Sequence, residues 1–377
     1  MSIRIGFLLP RSTDYPAMGF DLLDGFRLAM KQEGLPDVRV FTENTGFGED
    51  ANDIYSKCEK LIIEEDVQLL VVYASPMVTG QLNALAMTTG RPFLFLDAGM
   101  QYIDAVPCAH ALNITLQGLH ACRMAGRMAG ERGKRVLNAV SFFDAGYRGP
   151  YDFAEGVKEA GAAIIGNYIS VHRISEFSIA KYMELLKNAN PDAVIACFST
   201  YLSELFIDAL KANGPEAVAH PFYCSPFMAE EQLLTKHEFP GGEFHTVVPW
   251  ATSLDSAAQQ AFAETLKKEK NKSPNIFLLA GWEAGLTAAQ ILNTGKSAAE
   301  AVKGWTMESP RGQVVFHPET NCAYSPLYHA RIVSGENNLC KLEVTATLPI
   351  TAEDHLARFN DKPEGAVTNW KNTYFCT

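Results

Sequence analysis

Apolar positions along the chain fall into short blocks that alternate between two periods. Residues 3–9 form an apolar run broken only by Arg4 and Gly6, which reads as a strand buried on both faces. A loop rich in Ser, Thr, Asp and Pro follows. Phe20, Leu23, Phe26 and Met30 then fall at helical spacing, with Gly34 as the C-cap. The alternation continues with a strand at 38–42, a helix at 51–65 carried by Ile54, Cys58, Leu61 and Ile62, a strand at 67–73, a helix at 77–88 and a strand at 92–96. It restarts after Arg135, with strands at 136–142, 163–169, 193–198 and 221–224 and helices at 151–160, 178–188 and 201–212. Strands separated by helices of this length predict parallel sheets with helices on both faces, and right-handed crossovers bring the strand carboxyl ends to one edge. Ligands dock at that edge, so the loop after the first strand is one jaw of a binding cleft. The fold class is α/β, with two doubly wound parallel-sheet lobes connected through a helix near 117–131.

Two further helices are predicted at 257–270 and 277–292, then a Gly/Pro-punctuated stretch and a hairpin-like pair at 324–333 and 339–345. Elements that must rejoin an earlier lobe imply several chain crossings. The tail from 349 to 377, with Trp370, Tyr374 and Phe375, is aromatic enough to be expected to pack on a lobe.

At 377 residues the chain exceeds one ordinary core, which makes two domains the natural expectation. The net charge of −11 argues against nucleic acid or an anionic membrane as the main partner. No apolar run approaches the ~18 residues needed to span a bilayer. The chain enters a strand directly, so the sequence shows no signal peptide: the protein is cytoplasmic, or the sequence is a trimmed form of an exported one. The eight cysteines are widely spread with no CxxC and read as buried or idle thiols. Cys340 with Cys376 is the first pair to test for a disulfide.

Catalytic signatures are missing. There is no G-x-S-x-G elbow, no G-x-x-x-x-G-K-[ST] loop and no G-x-G-x-x-G after the first strand. The nine histidines are scattered, and no nucleophile–base–orienter set can be assembled. Asp144 and Glu283 are the carboxylates to weigh as acids or bases, against the plainer role of hydrogen-bond anchor. Neither an enzyme nor a metal or other cofactor is expected.

Several stretches together resemble one family. They are the opening Ile-Gly-Phe-Leu-Leu-Pro10 with Met18-Gly19 and Asp24-Gly25; Asp144-Ala-Gly-Tyr-Arg-Gly149; Asn190-Pro-Asp-Ala-Val194; Ala280-Gly-Trp-Glu-Ala284; and Ser309-Pro-Arg-Gly-Gln-Val-Val-Phe-His-Pro-Glu-Thr320. In this order, over about residues 3–345, they are similar to the type I periplasmic binding proteins. The closer likeness is to the branched-chain amino-acid (leucine/isoleucine/valine) receptors of ABC transporters. The last stretch is the most specific, resembling the pattern S-P-x-G-x-V-x-F-D-P-x-T. The resemblance implies two lobes joined by a three-strand hinge, with lobe one at 1–113 and 251–327. Lobe two would hold 114–250 and 328–377, the latter including the C-terminal tail. A ligand would be trapped between the lobes by hinge closure.

Carried over residue by residue, the family's site departs from its amino-acid-binding pattern here. Met18 stands for a tyrosine beside the first loop, Met77 for a serine after Ser75-Pro76, and Met100 for a threonine after Ala98 and Gly99. The acid at the lobe crossing falls on Ile114, next to Asn113, and the acid after the 221–224 strand falls near Pro226-Phe227. Tyr147 and Tyr201 match the family's aromatic wall. A buried ammonium without a carboxylate partner costs several kcal/mol. The expected guest is therefore an aromatic or apolar-bodied acid or amide rather than a standard amino acid. Soft packing would come from the three methionines and rings from Tyr15, Tyr147, Tyr201 and Phe227. Polar contacts would come from Ser12, Ser75, Asp97, Asn113 or backbone amides. The function expected is a solute receptor that hands a small-molecule ligand to a membrane ABC permease, in the periplasm or at the cell surface. The alternative is a cytoplasmic ligand-sensing regulator on the same fold that binds a partner protein. Oligomeric state is left open.

Overall fold

The computed structural model describes residues 3–48 and 50–362. Trp370, Tyr374, Phe375 and the Cys340–Cys376 pair therefore lie, wholly or in part, outside the described residues. The first sheet holds β1 (Arg4–Leu9), β2 (Arg39–Asn44), β3 (Leu69–Tyr73), β4 (Phe93–Asp97) and β5 (Ala111–Thr115), all parallel in the order β2-β1-β3-β4-β5. Every residue of β3, β4 and β5 is buried. Helices on both faces account for these continuous apolar runs. The helices are α1 (Met18–Gln32), α2 (Ala51–Glu65) and α3 (Thr79–Thr89). Residues 76–78 form a separate 3-10 turn, because Ser75 caps it and Pro76 takes its first position.

The second sheet is built from β6 (Arg135–Val140), β7 (Ala163–Ile169), β8 (Ala193–Cys197), β9 (Phe222–Cys224) and β10 (Phe244–Val248). Between and before them run α4 (Gly118–Arg132), α5 (Arg148–Glu159), α6 (Ala180–Ala189), α7 (Thr200–Asn213) and the single turn α8 (Glu231–Leu234). The chain then returns to the first lobe with α9 (Ala257–Lys270), α10 (Ile276–Thr294) and α11 (Ala298–Ala301). A small antiparallel sheet follows, of β11 (Thr306–Ser309), β12 (Gly312–Phe316) and β13 (Ala323–Tyr324). The hairpin β14 (Leu327–Ser334) and β15 (Cys340–Leu348) adds two antiparallel strands to the second sheet, whose order is β15-β14-β10-β9-β8-β6-β7. The last described element is α12 (Ala352–Asn360), started by a Thr351/Asp354 capping box.

The chain thus passes between the two sheets three times, after β5, after β10 and between β13 and β14. In the first lobe α10 lies directly on α1. A Cβ at Gly281 would stand 2.0 Å from the Leu22 carbonyl oxygen, and one at Gly25 would stand 2.1 Å from the Leu278 carbonyl oxygen. Only glycine permits backbones to touch at both positions. That contact fixes where the start of α10 meets the start of α1. Among the described residues, no helix is long and apolar enough to cross a membrane.

Candidate functional site

Segments that follow strands in both parallel sheets line one groove between the lobes. Lobe one contributes residues 13–17 after β1, Met18 at the start of α1, Ala98 after β4 and the first turn of α10. Lobe two contributes Thr200 and Tyr201 after β8 and residues between 226 and 236 after β9. Asn275 caps α10, accepting from the Phe277 and Leu278 amides at 3.0 and 2.9 Å while donating to Asp21 at 2.8 Å. The cap places the Phe277 ring edge-on to Tyr15, with centroids 5.3 Å apart at 68°. Tyr15 is itself held by its amide, which donates to Ser12 Oγ at 3.1 Å. Across the groove, the Tyr201 hydroxyl donates to the His172 carbonyl at 2.7 Å, and its ring meets the Phe143 edge at 6.4 Å.

One end of the groove is mostly apolar, formed by Ala98, Leu116, Phe227, Trp250, Ile276 and Phe277 around about 50 Å³, with Glu230, Glu231, Gln232 and Asn275 at its margin. The other part encloses about 430 Å³ and is rimmed by Asp14, Tyr15, Met18, Tyr201, Glu204 and Glu230. Those dimensions suit a small organic molecule with an apolar body and a polar end. Burial pushes the Tyr15 phenol well above its ordinary value, and Glu230, to which it is hydrogen-bonded, adds to the shift. Since Tyr15 belongs to lobe one and Glu230 to lobe two, that bond joins the two jaws. Burial also raises the Asp14 carboxyl, and the facing Glu204 carboxylate adds repulsion. Lys236 stands 3.9 Å from Glu204 on exposed side chains, which neutralises little. Asp21 is spoken for by Lys272 at 2.6 Å and Asn275. The rim is acidic and favours a ligand that presents hydrogen-bond donors.

Behind the groove a buried cluster ties the crossings together. Glu283 and Arg311 are both fully buried, with Glu283 Oε1 accepting from Arg311 Nε at 2.6 Å and from Ser309 Oγ at 2.6 Å, and Oε2 from Arg311 Nη2 at 2.8 Å. Arg311 Nη1 reaches Gln117 Oε1 at 3.5 Å, and the same oxygen accepts from the Ser325 amide and hydroxyl at 2.9 and 3.1 Å. Gln117 lies on the first crossing and Ser325 on the third. The Ser-Pro-Arg-Gly stretch therefore serves the hinge, and Glu283 is the counter-ion of an arginine. Asp144 is likewise an anchor. It accepts from Ser141 Oγ at 2.5 Å and Ser199 Oγ at 2.9 Å, pinning the turn after β6 to the turn after β8. Burial pushes its carboxyl up to about 6, against the hydrogen bonds from the two serines.

The groove gathers Tyr15, Met18, Ala98, Tyr201 and Phe227 from the residues singled out in the sequence, with Ser12 directly behind Tyr15. Others lie elsewhere. Met77 is 67% exposed, because the 3-10 turn at 76–78 points it to solvent. Met100 is buried between Gly118 and Gly149, wedged where α4 and α5 begin. Ser75 donates to Gln101 Oε1 at 2.6 Å. Asp97 is sealed by the Gly99 amide and the Thr115 hydroxyl, and burial pushes it up to about 6. Asn113 is buried in β5, its amide donating to the Asn321 carbonyl at 2.9 Å. Tyr147 is buried at the start of α5, and Gly99 borders a different cavity beside α12. Residue reasoning missed Asp14, Glu204, Glu230, Trp250 and Phe277. Glu230 follows the 3-10 turn Pro226–Ala229, three residues beyond Phe227, and lines the groove.

The sequence profile of the periplasmic binding protein family matches residues 2–337. Comparison with curated proteins gives no match. Among solved structures, an ABC transporter substrate-binding protein from Sphaerobacter thermophilus is 18% identical, with TM-score 0.78 over 93% of this chain and 98% of that one. A solute-binding protein of an ABC transporter from Rhodopseudomonas palustris, in complex with 3,4-dihydroxybenzoic acid, is 16% identical, with TM-score 0.74 over 92% and 97%. The branched-chain amino-acid transporter substrate-binding protein of Streptococcus pneumoniae, in complex with isoleucine, is 14% identical, with TM-score 0.67 over 92% and 99%. At these identities the structural likeness is one of fold.

Proposed function

The chain belongs to the periplasmic binding protein family, and on that premise we propose that it is a solute receptor that traps a small organic ligand between its lobes and delivers it to an ABC permease. The observation that carries this reading is the groove itself, walled by both lobes, mostly apolar at one end, polar at its rim and bridged by Tyr15 and Glu230. A ligand touching both walls favours the shut state by its differential affinity for it. The ordered motifs suggest descent within the branched-chain amino-acid branch, with the pocket turned to another guest. Phe227, Trp250 and Phe277 suit an apolar or aromatic body, and similar folds hold aromatic acids. The acidic rim favours an amide or amino head over a free carboxylate at this place. Release without chemistry fits the anchoring roles of Asp144 and Glu283. Such a receptor works in the periplasm or at the cell surface, beside its permease.

Calorimetry with benzamide, benzoate, phenylalanine and leucine, paired with small-angle scattering, tests the reading. Benzamide is expected to bind with compaction of the scattering envelope, and Tyr201→Ala to weaken it by about tenfold. Compaction by none of the four, or recovery of a bound compound chemically altered, would overturn it.

A further inference from the structure

The groove wall carries more carboxylates than the chain itself satisfies, and the surplus is shared by both jaws. Resting on the receptor reading above, we propose that the guest is an organic amine: an ammonium head on an apolar body, with no carboxylate of its own, held between Asp14 of lobe one and Glu204 of lobe two.

Each acid on the wall can be followed to its partner. Asp21 is taken by Lys272 at 2.6 Å and by Asn275 at 2.8 Å. Glu231 accepts from the Thr252 amide at 2.7 Å and from its hydroxyl at 2.6 Å. Glu230 is hydrogen-bonded to Tyr15. Asp14 differs, since among the described residues it has neither an ion pair nor a hydrogen bond. Glu204, in α7, has one ion pair among the described residues, with Lys236 at 3.9 Å. Burial lifts the Asp14 carboxyl, and Glu204 across the groove lifts it further. Like charges on opposite jaws oppose closure. A cation lodged between them turns that repulsion into attraction on both sides, and so favours the shut state.

The rest of the wall suits the same guest. Tyr15, Tyr201 and Phe277 line the same part of the groove as Asp14 and Glu204, and ring faces attract a cation. Phe227 and Trp250, at the adjoining end, take an apolar body. A carboxylate on the guest finds no such reception. Among the described residues lining either part of the groove, Lys236 is the one Lys or Arg. The amides at the start of α10, which could otherwise hold an anion, already donate to Asn275 Oδ1 at 3.0 and 2.9 Å. Nor do Asp14 and Glu204 stand at the acid positions carried over from the amino-acid receptors, which fall on Ile114 and near Pro226-Phe227. The clamp for the ammonium is this chain's own.

Benzylamine and benzyl alcohol are the probes, alike in outline and different in charge at neutral pH, titrated calorimetrically into the full chain with scattering in parallel. Benzylamine is expected to compact the envelope and to bind at least about tenfold more tightly than benzyl alcohol, with a lead that shrinks as salt is raised. Asp14 is exposed and Glu204 half-buried, so Asp14→Asn and Glu204→Gln are expected to fold. Each should weaken benzylamine by about tenfold and narrow its lead. Equal affinity for the two probes, a lead that neither variant narrows, or no binding of benzylamine would overturn this inference. Compaction by benzamide in any of those cases would leave the receptor reading intact and make the guest an uncharged one.

Discussion

Asp144 shows what a single side chain contributes. It is 1% exposed, accepts from two serine hydroxyls and holds its proton up to about pH 6 because burial disfavours the anion. In the unfolded chain the same group ionises near 4. Between those values the folded state keeps a proton that the unfolded state has released. Asp144 therefore stabilises the fold below about pH 4, and that contribution fades as pH rises through 6. The interval between about 4 and about 6 corresponds to about 3 kcal/mol. Asp144→Asn is expected to remove this dependence: the stability difference between wild type and variant, measured by urea unfolding, should fall by up to that amount from pH 4 to pH 7. A difference constant with pH would show that the carboxyl is not held protonated. The sequence marked Asp144 and Glu283 as carboxylates that matter. It did not reveal which partners absorb them, since Ser199 and Arg311 are distant along the chain and adjacent only after folding.

At the scale of elements, the strand–helix alternation was legible because burial on both faces writes uninterrupted apolar runs. β5, β10, β11 and β12 were not foreseen: Ala-Leu-Asn-Ile-Thr, Phe-His-Thr-Val-Val, Thr-Met-Glu-Ser and Gly-Gln-Val-Val-Phe are short and mixed in polarity, and become strands through partners supplied elsewhere. A shift of a few residues matters as much as a missed strand. The turn Pro226–Ala229 carries the chain past Phe227 to Glu230, which lines the groove. The touching backbones of α1 and α10 set the distance between Met18 and Phe277 across the groove floor. Gly281→Ala would push its methyl into the Leu22 carbonyl, 2.0 Å away, and is expected to destabilise by about 2–3 kcal/mol. It should also weaken groove ligands, read as a lower denaturation midpoint together with a larger dissociation constant. An unchanged midpoint would mean that the two helices part at no cost.

The whole molecule is held at more places than its crossings. Tyr15 and Glu230 bridge the groove in front, and α12 laces the lobes behind. Arg358 joins Asp152 of α5 to the Tyr102 hydroxyl of lobe one, Asp361 reaches Arg123 of α4 at 3.0 Å, and Lys362 donates to the Ile103 carbonyl. Asp152 is fully buried and pushed up to about 6 by that burial, with Arg358 pulling the other way. Arg358→Met leaves it with Arg123 at 3.4 Å and Tyr102. The cost is expected to be about 3 kcal/mol, with a larger radius of gyration for the unliganded protein in small-angle scattering. A scattering curve identical to wild type would mean that α12 rests on the lobes without holding them. The linear chain carries enough to indicate two α/β lobes and, through its ordered motifs, the family, because periodicity and turn chemistry are local and repeat along the backbone. Which side chains share the groove and which acid faces which were settled only by folding. Such relations depend on ångström distances between residues that lie far apart in the chain, and no spacing within the sequence encodes them.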